Sequence, residues 1–99
     1  MQNEKNTKKL TLRIIAHGMQ LKNPLPPTAD MVIIHAMTGE MGILPGRLPC
    51  NMALGKGALR VYENDQVYAY KINGGIGSVS HNEVTILSNA ITAAEEEIE

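Results

Sequence analysis

The chain has no phenylalanine and no tryptophan, and tyrosine occurs only at 62, 68 and 70. A core without large aromatics must come from Ile, Leu, Val and the six Met, and it gains less buried area per side chain. Modest stability alone, and support from a partner, are expected. One cysteine, Cys50, excludes an intramolecular disulfide and suits a reducing compartment. No apolar run approaches the roughly 20 residues that span a bilayer, and no signal-peptide core opens the chain. The nine basic and ten acidic residues leave a net charge of -1. The basic residues are scattered, which argues against nucleic-acid binding, because neutralising phosphates needs clustered Lys and Arg. Lys5, Lys8 and Lys9 lack an accompanying apolar face, so residues 1–9 read as a disordered tail rather than a membrane anchor. The expected setting is cytoplasmic, with a peripheral place on a membrane complex left open.

What is present fits one small domain: 99 residues, 43% of them apolar. Leu10, Leu12 and Ile14 alternate with Thr11, Arg13 and Ile15, the period of a strand with one buried face. Asn23-Pro24-Leu25-Pro26-Pro27 reads as an edge or linking turn, since proline donates no ladder hydrogen bond. Met31-Val32-Ile33-Ile34 is a β-branched strand that Thr38-Gly39 ends. Gly55-Lys56-Gly57 reads as a bend. Polar turns at Glu63-Asn64-Asp65-Gln66 and Ser80-His81-Asn82-Glu83 predict two hairpins. Short strands at this spacing predict an all-β fold, a sandwich or barrel of antiparallel strands over 10–87. Thr92-Ala93-Ala94-Glu95 has capping-box spacing, so 88–99 reads as the start of a C-terminal helix.

The obvious chemistry is weak. His17, His35 and His81 lack the spacing of a zinc motif and have no Cys pair beside them, so no metal site is expected. Cys50 lies in an apolar stretch and reads as a packed thiol; a thiol-dependent enzyme is a distant alternative. Gly55-Lys56 has no upstream glycine and no following Ser or Thr, so it is not a phosphate loop. Gly74-Gly75-Ile76-Gly77 reads as a bulge or a close backbone approach within a sheet. Asp30 and Glu40 read as two solvated loop carboxylates rather than an acid–base pair.

Gly39-Glu40-Met41-Gly42-Ile43-Leu44-Pro45-Gly46-Arg47-Leu48-Pro49 is different. Its glycines and prolines restrict the backbone, and its apolar side chains must be buried or held in an interface. Either a loop folded over one end of the sandwich or a rigid contact surface satisfies this.

Glu40-x-Gly42-Ile43-Leu44-Pro45-Gly46, with Gly57-Ala58-Leu59-Arg60-Val61, Asn73-Gly74-Gly75-Ile76 and Val84-Thr85-Ile86-Leu87 following in order, resembles the epsilon subunit of the F-type ATP synthase. The similarity runs from about Leu10 to Ala94. It implies a flattened β-sandwich in the rotor's central stalk, with the gamma subunit, the c-ring and the F1 head as partners. The implied role is non-catalytic: coupling ring rotation to ATP synthesis driven by an ion gradient, with no cofactor and only indirect membrane contact. The implied c-ring contact comprises Gly39, Glu40, Met41, Gly42, Ile43, Leu44, Pro45 and Arg47, led by Glu40. Family members commonly carry His and then Ala-Pro where this chain has Arg47-Leu48-Pro49. Arg47 then serves as a charge-assisted contact or as a salt-bridge partner of Glu40. Typical members continue into a helical hairpin that inhibits hydrolysis and in some binds ATP; neither property is expected of these 99 residues. The alternative from another class is a free β-sandwich adaptor that binds a peptide at a sheet edge.

Overall fold

The computed structural model describes residues 8–20 and 25–93. The expectations for 1–7, for Asn23-Pro24 and for a helix from 94 onward lie outside the described residues. Seven strands follow in order: β1 (Leu10–Gln20), β2 (Thr28–Ala29), β3 (Met31–Ala36), β4 (Gly39–Ile43), β5 (Cys50–Glu63), β6 (Gln66–Ser80) and β7 (Glu83–Ala93). They form one hydrogen-bonded sheet in the order β2-β1-β7-β6-β5-β3-β4. Every pairing is antiparallel except β1 with β7, which is parallel, Leu12 facing Val84 and Ile14 facing Ile86.

The two expected hairpins are present. Asn64 and Asp65 have φ of 52° and 66°, and His81 and Asn82 have 53° and 60°. Positive φ at both central residues is the two-residue turn whose twist matches the flanking strands, and Asn and Asp tolerate it best.

The strands are longer than the sequence suggests. The 15 residues of β6 would span about 50 Å if straight, more than the 43 Å longest dimension of the domain. The strand must therefore bend, and the burial pattern locates where. On β5 the buried positions are Met52 and Leu54, then Leu59 and Val61. On β6 they are Tyr70 and Ile72, then Gly77 and Val79. On β7 they are Val84, Ile86 and Ser88, then Ile91. Each of three adjacent strands changes phase, and the changes line up across the sheet. Along this corner the sheet folds over on itself and closes a sandwich around one core, aliphatic but for Tyr70.

Gly55-Lys56-Gly57 is thus no turn but the corner of β5. The β3–β5 register shifts there, between Ile34 and Ala36. The His35 ring lies over both glycines; a Cβ on Gly57 would sit 2.9 Å from its Cγ. On β6 the corner is Gly74-Gly75, φ 72° and 124°, where the β6–β7 ladder is interrupted between Ile72 and Ile76. A Cβ on Gly75 would stand 1.9 Å from the Leu87 carbonyl oxygen, so the expected close backbone approach is present. The buried Ser88 hydroxyl is 2.7 Å from the Gly74 carbonyl oxygen and 3.1 Å from that of Ala90, both acceptors for its one proton. It restores hydrogen bonding where the ladder fails.

Two further expectations are corrected. The strand β7 continues through Ala93, so residues 88–93 are not helical; pairing of Ile91, Thr92 and Ala93 with Ile72, Lys71 and Tyr70 overrides their local preference. Lys9 is no part of a free tail. Its ammonium meets Glu63 at 2.8 Å and Asp30 at 3.0 Å, closing the end of the sandwich where β1 begins.

Candidate functional site

The run from Gly39 to Ile43 is a strand rather than a loop. It pairs along the open side of β3, Glu40 facing His35 and Gly42 facing Ile33, and forms one edge of the sheet. Two glycines and a carboxylate hide this strand from propensity, because an edge strand paired on one side tolerates them. A two-residue link, Met37-Thr38, joins β3 to β4. Gly39 follows it with φ 128°, a conformation that excludes most side chains.

Alternation along β4 sorts the candidate residues. Ile43 is fully buried and Met41 half-buried, while Glu40, Gly42 and Leu44 are exposed. Ile43 is therefore removed from the contacting set: its side chain anchors the edge to the core. Gly39, Glu40, Gly42, Leu44 and Arg47 remain exposed, with Met41 and Pro45 partly accessible.

Leu44-Pro45-Gly46-Arg47 is a tight turn. The Arg47 N–H donates to the Leu44 carbonyl at 3.3 Å, and Gly46 has φ 91°. Proline at the second position and glycine at the third are the residues a type II turn demands. The Gly46 N–H donates to the Asn82 side-chain oxygen at 2.7 Å, tying the turn to the β6–β7 hairpin.

Glu40 does not pair with Arg47. Its carboxylate lies 3.4 Å from the Arg60 guanidinium, and both side chains are largely exposed. Arg60 reaches it from β5, across the Ile33 position of β3. Such a surface pair contributes about 0–1 kcal/mol, so the fold has little need of Glu40. Arg60 was missed as a member of the site; its signal is the Gly57-x-Leu59-Arg60 segment, which only the pairing of β3 with β5 brings beside Glu40. Asp30 and Glu40 are held apart, Asp30 by Lys9 and by the Asn64 N–H. Those contacts, the Asn64 N–H foremost and then Lys9, hold the Asp30 carboxyl below its ordinary range.

Gly42 differs from the other edge glycine. Its φ is not positive, and a Cβ placed on it meets nothing within 4 Å. Neither backbone strain nor crowding by the described residues requires a glycine there.

A second surface lies on the outer face of the other half of the sheet. Ile15, Leu87 and Ile76 stand in register across β1, β7 and β6, and are 53%, 45% and 57% exposed. With Gly75 they line a shallow depression of about 340 Å³. Among the described residues these three aliphatic side chains form one exposed apolar row.

Cys50 opens β5, half-buried against the core. His17, His35 and His81 lie on β1, on β3 and in the β6–β7 turn. Among the described residues no three His, Cys, Asp or Glu side chains gather as metal ligands. Among them, too, no helix is long and apolar enough to cross a membrane.

Residues 9–94 match the family described as ATP synthase, Delta/Epsilon chain, beta-sandwich domain. The ATP synthase epsilon chain of Synechococcus elongatus is 41% identical over 81 residues, 82% of this chain and 57% of that protein. The ATP synthase epsilon chain of a Prochlorococcus marinus strain is 39% identical over 87 residues, 88% of this chain and 62% of its own length. The chain thus spans about three-fifths of the curated relatives it matches. Among solved structures, a chain of the Euglena gracilis mitochondrial ATP synthase superposes with a TM-score of 0.67 at 22% identity, covering 94% of this chain and 61% of that one. A chain of the Tetrahymena thermophila central stalk and c-ring superposes at 0.60 and 15% identity, covering 86% and 68%. At these identities the structural likeness establishes the fold.

Proposed function

The chain belongs to the ATP synthase delta/epsilon family through its β-sandwich domain, and from that premise we propose that it is a non-catalytic subunit of the central stalk of an F-type ATP synthase. It couples rotation of the c-ring to gamma and the F1 head during ATP synthesis. Torque must pass through the subunit without slip, which demands a stiff body with at least two fixed interfaces. A sheet folded over its own corner, with both hairpins in two-residue turns, is such a body.

The edge formed by Glu40, Gly42, Leu44 and Arg47 is the surface assigned to the c-ring. The observation that carries this is Gly42, part of the family-like signature yet with open space about it among the described residues. A glycine that the fold does not require leaves room for another backbone to approach an edge strand. Glu40 supports the same reading, because it adds little to stability and presents a carboxylate with Arg60 behind it. The aliphatic row of Ile15, Leu87 and Ile76 is assigned to gamma. It lies on a different surface from β4, so both contacts can form together.

The test is the coupling of ATP hydrolysis to ion pumping in the reassembled complex. Glu40→Ala and Arg47→Ala are expected to lower the pumping-to-hydrolysis ratio while the isolated chain melts as the wild type does. Wild-type coupling in both variants would exclude this edge as the ring contact.

A further inference from the structure

One residue outside the signature joins three segments at the end of the sandwich. Asn82 occupies the second central position of the β6–β7 turn, with φ 60°. Its backbone carbonyl accepts from the Thr11 N–H at 2.7 Å, which fixes the start of β1. Its side-chain oxygen accepts from the Gly46 N–H at 2.7 Å, which fixes the Leu44–Arg47 turn. The Gly46 N–H points away from the turn into another element, and Leu48 beyond it is 81% exposed. Buried packing therefore does little to hold this end of the edge. Inward, Ile43 anchors it; outward, the Asn82 hydrogen bond locates it.

We propose that Asn82 is a positioning residue for the contact edge: its side-chain oxygen clips the Leu44–Arg47 turn to the β6–β7 hairpin and so fixes where Leu44 and Arg47 stand relative to Glu40. The proposal rests on the assignment of that edge to the c-ring. It gives the hairpin a part in coupling. Displacement at the β6–β7 turn is then transmitted to the ring contact through one hydrogen bond, and the β1 start moves with it.

Turn chemistry supplies clean variants. Asn82→Gly keeps the positive φ at no steric cost and leaves the backbone carbonyl to Thr11, but removes the acceptor for Gly46. Asn82→Asp keeps an acceptor oxygen on a residue that also tolerates the left-handed region. Amide hydrogen exchange at Gly46 in the full 99-residue chain reads the clip. Binding of the same chains to the solubilised c-ring–gamma complex reads its consequence, with Glu40→Ala as the reference. In Asn82→Gly, Gly46 exchange is expected to rise about tenfold and affinity to fall roughly fivefold. Thr11 protection should stay unchanged, and Asn82→Asp should restore both quantities. Wild-type Gly46 exchange in Asn82→Gly overturns the proposal, as does wild-type binding in that variant when Glu40→Ala binds weakly. If Glu40→Ala and Asn82→Gly both bind as the wild type does, the edge assignment itself fails and the role of Asn82 falls with it.

Discussion

Gly75→Ala tests whether the corner of the sheet is what the fold depends on. The added methyl would stand 1.9 Å from the Leu87 carbonyl oxygen and 2.9 Å from the Leu87 carbonyl carbon and from Ser88 Cα. All three are backbone atoms, so no side chain can rotate away. Restoring an ordinary contact requires β6 and β7 to part by about 1.5 Å, the difference between 1.9 and 3.4 Å. That movement breaks the Ser88–Gly74 hydrogen bond, a loss of about 1 kcal/mol. Alanine at φ 124° adds strain of roughly 1–3 kcal/mol. A cost of about 3 kcal/mol is a large share of the 5–15 kcal/mol that keeps a small domain folded. At 4–8 °C for each kcal/mol, Tm falls by roughly 12–24 °C. Thermal melts followed by circular dichroism measure this, with Gly42→Ala as the control that has open space around it and no positive φ. The control should stay within about 0.5 kcal/mol of wild type. If Gly75→Ala melts within about 5 °C of wild type, Gly75 does not form the corner in the way described.

Gly42→Ala carries a second expectation: unchanged melting, but weaker binding to the c-ring–gamma complex, read by size exclusion of the mixture. Equal binding would remove the close-approach argument. Ile76→Asp places a charge in the aliphatic row and should abolish binding to gamma alone while the monomer stays folded; undiminished binding would move the gamma contact elsewhere. The Lys9 latch predicts the pH dependence of stability. Asp30 titrates below its ordinary 3.8 in the folded chain because of the Asn64 N–H and Lys9. Its contribution is present above that value and is lost as pH falls through the folded pKa. Lys9 titrates above 10.5 because of Glu63 and then Asp30, so its contribution is present below 10.5 and is lost as pH rises through its folded pKa. Burial also pushes the Tyr70 phenol up, which adds to the alkaline loss above 10.0. Denaturant melts of Asp30→Asn should show a shallower decline on the acid side than wild type; an identical decline would remove Asp30 from the latch.

Several elements were legible because a local rule governs them. Glu63-Asn64-Asp65-Gln66 and Ser80-His81-Asn82-Glu83 name their turns through residues that tolerate positive φ. Alternation from Leu10 to Ile14 names β1, and Gly74-Gly75 announces a close approach. The rest depends on partners distant in sequence. Glycines at 55 and 57 read as a bend, whereas the His35 ring and the β3 register make them the corner of a continuous strand. Thr92 and Ala93 have helical character that pairing with Lys71 and Tyr70 overrides. Lys9 reads as tail until Asp30 and Glu63 converge on it from separate turns. The Gly39–Ile43 edge was legible as a motif but not as a strand, and its alternation moved Ile43 from the surface to the core. Arg60 stood in a recognisable segment and Asn82 in a recognisable turn, but nothing local placed either beside residues 39–47, because only the fold brings them there.

The central claim is that this sandwich is a stalk subunit, and direct binding tests it most simply. The purified chain, shown to be folded, would be mixed with gamma or with F1 depleted of this subunit, and the complex measured by titration calorimetry and size exclusion. A one-to-one complex that Ile76→Asp abolishes is the predicted result. A folded chain that binds neither gamma nor depleted F1 would contradict the account and return the domain to the reading of a free β-sandwich adaptor.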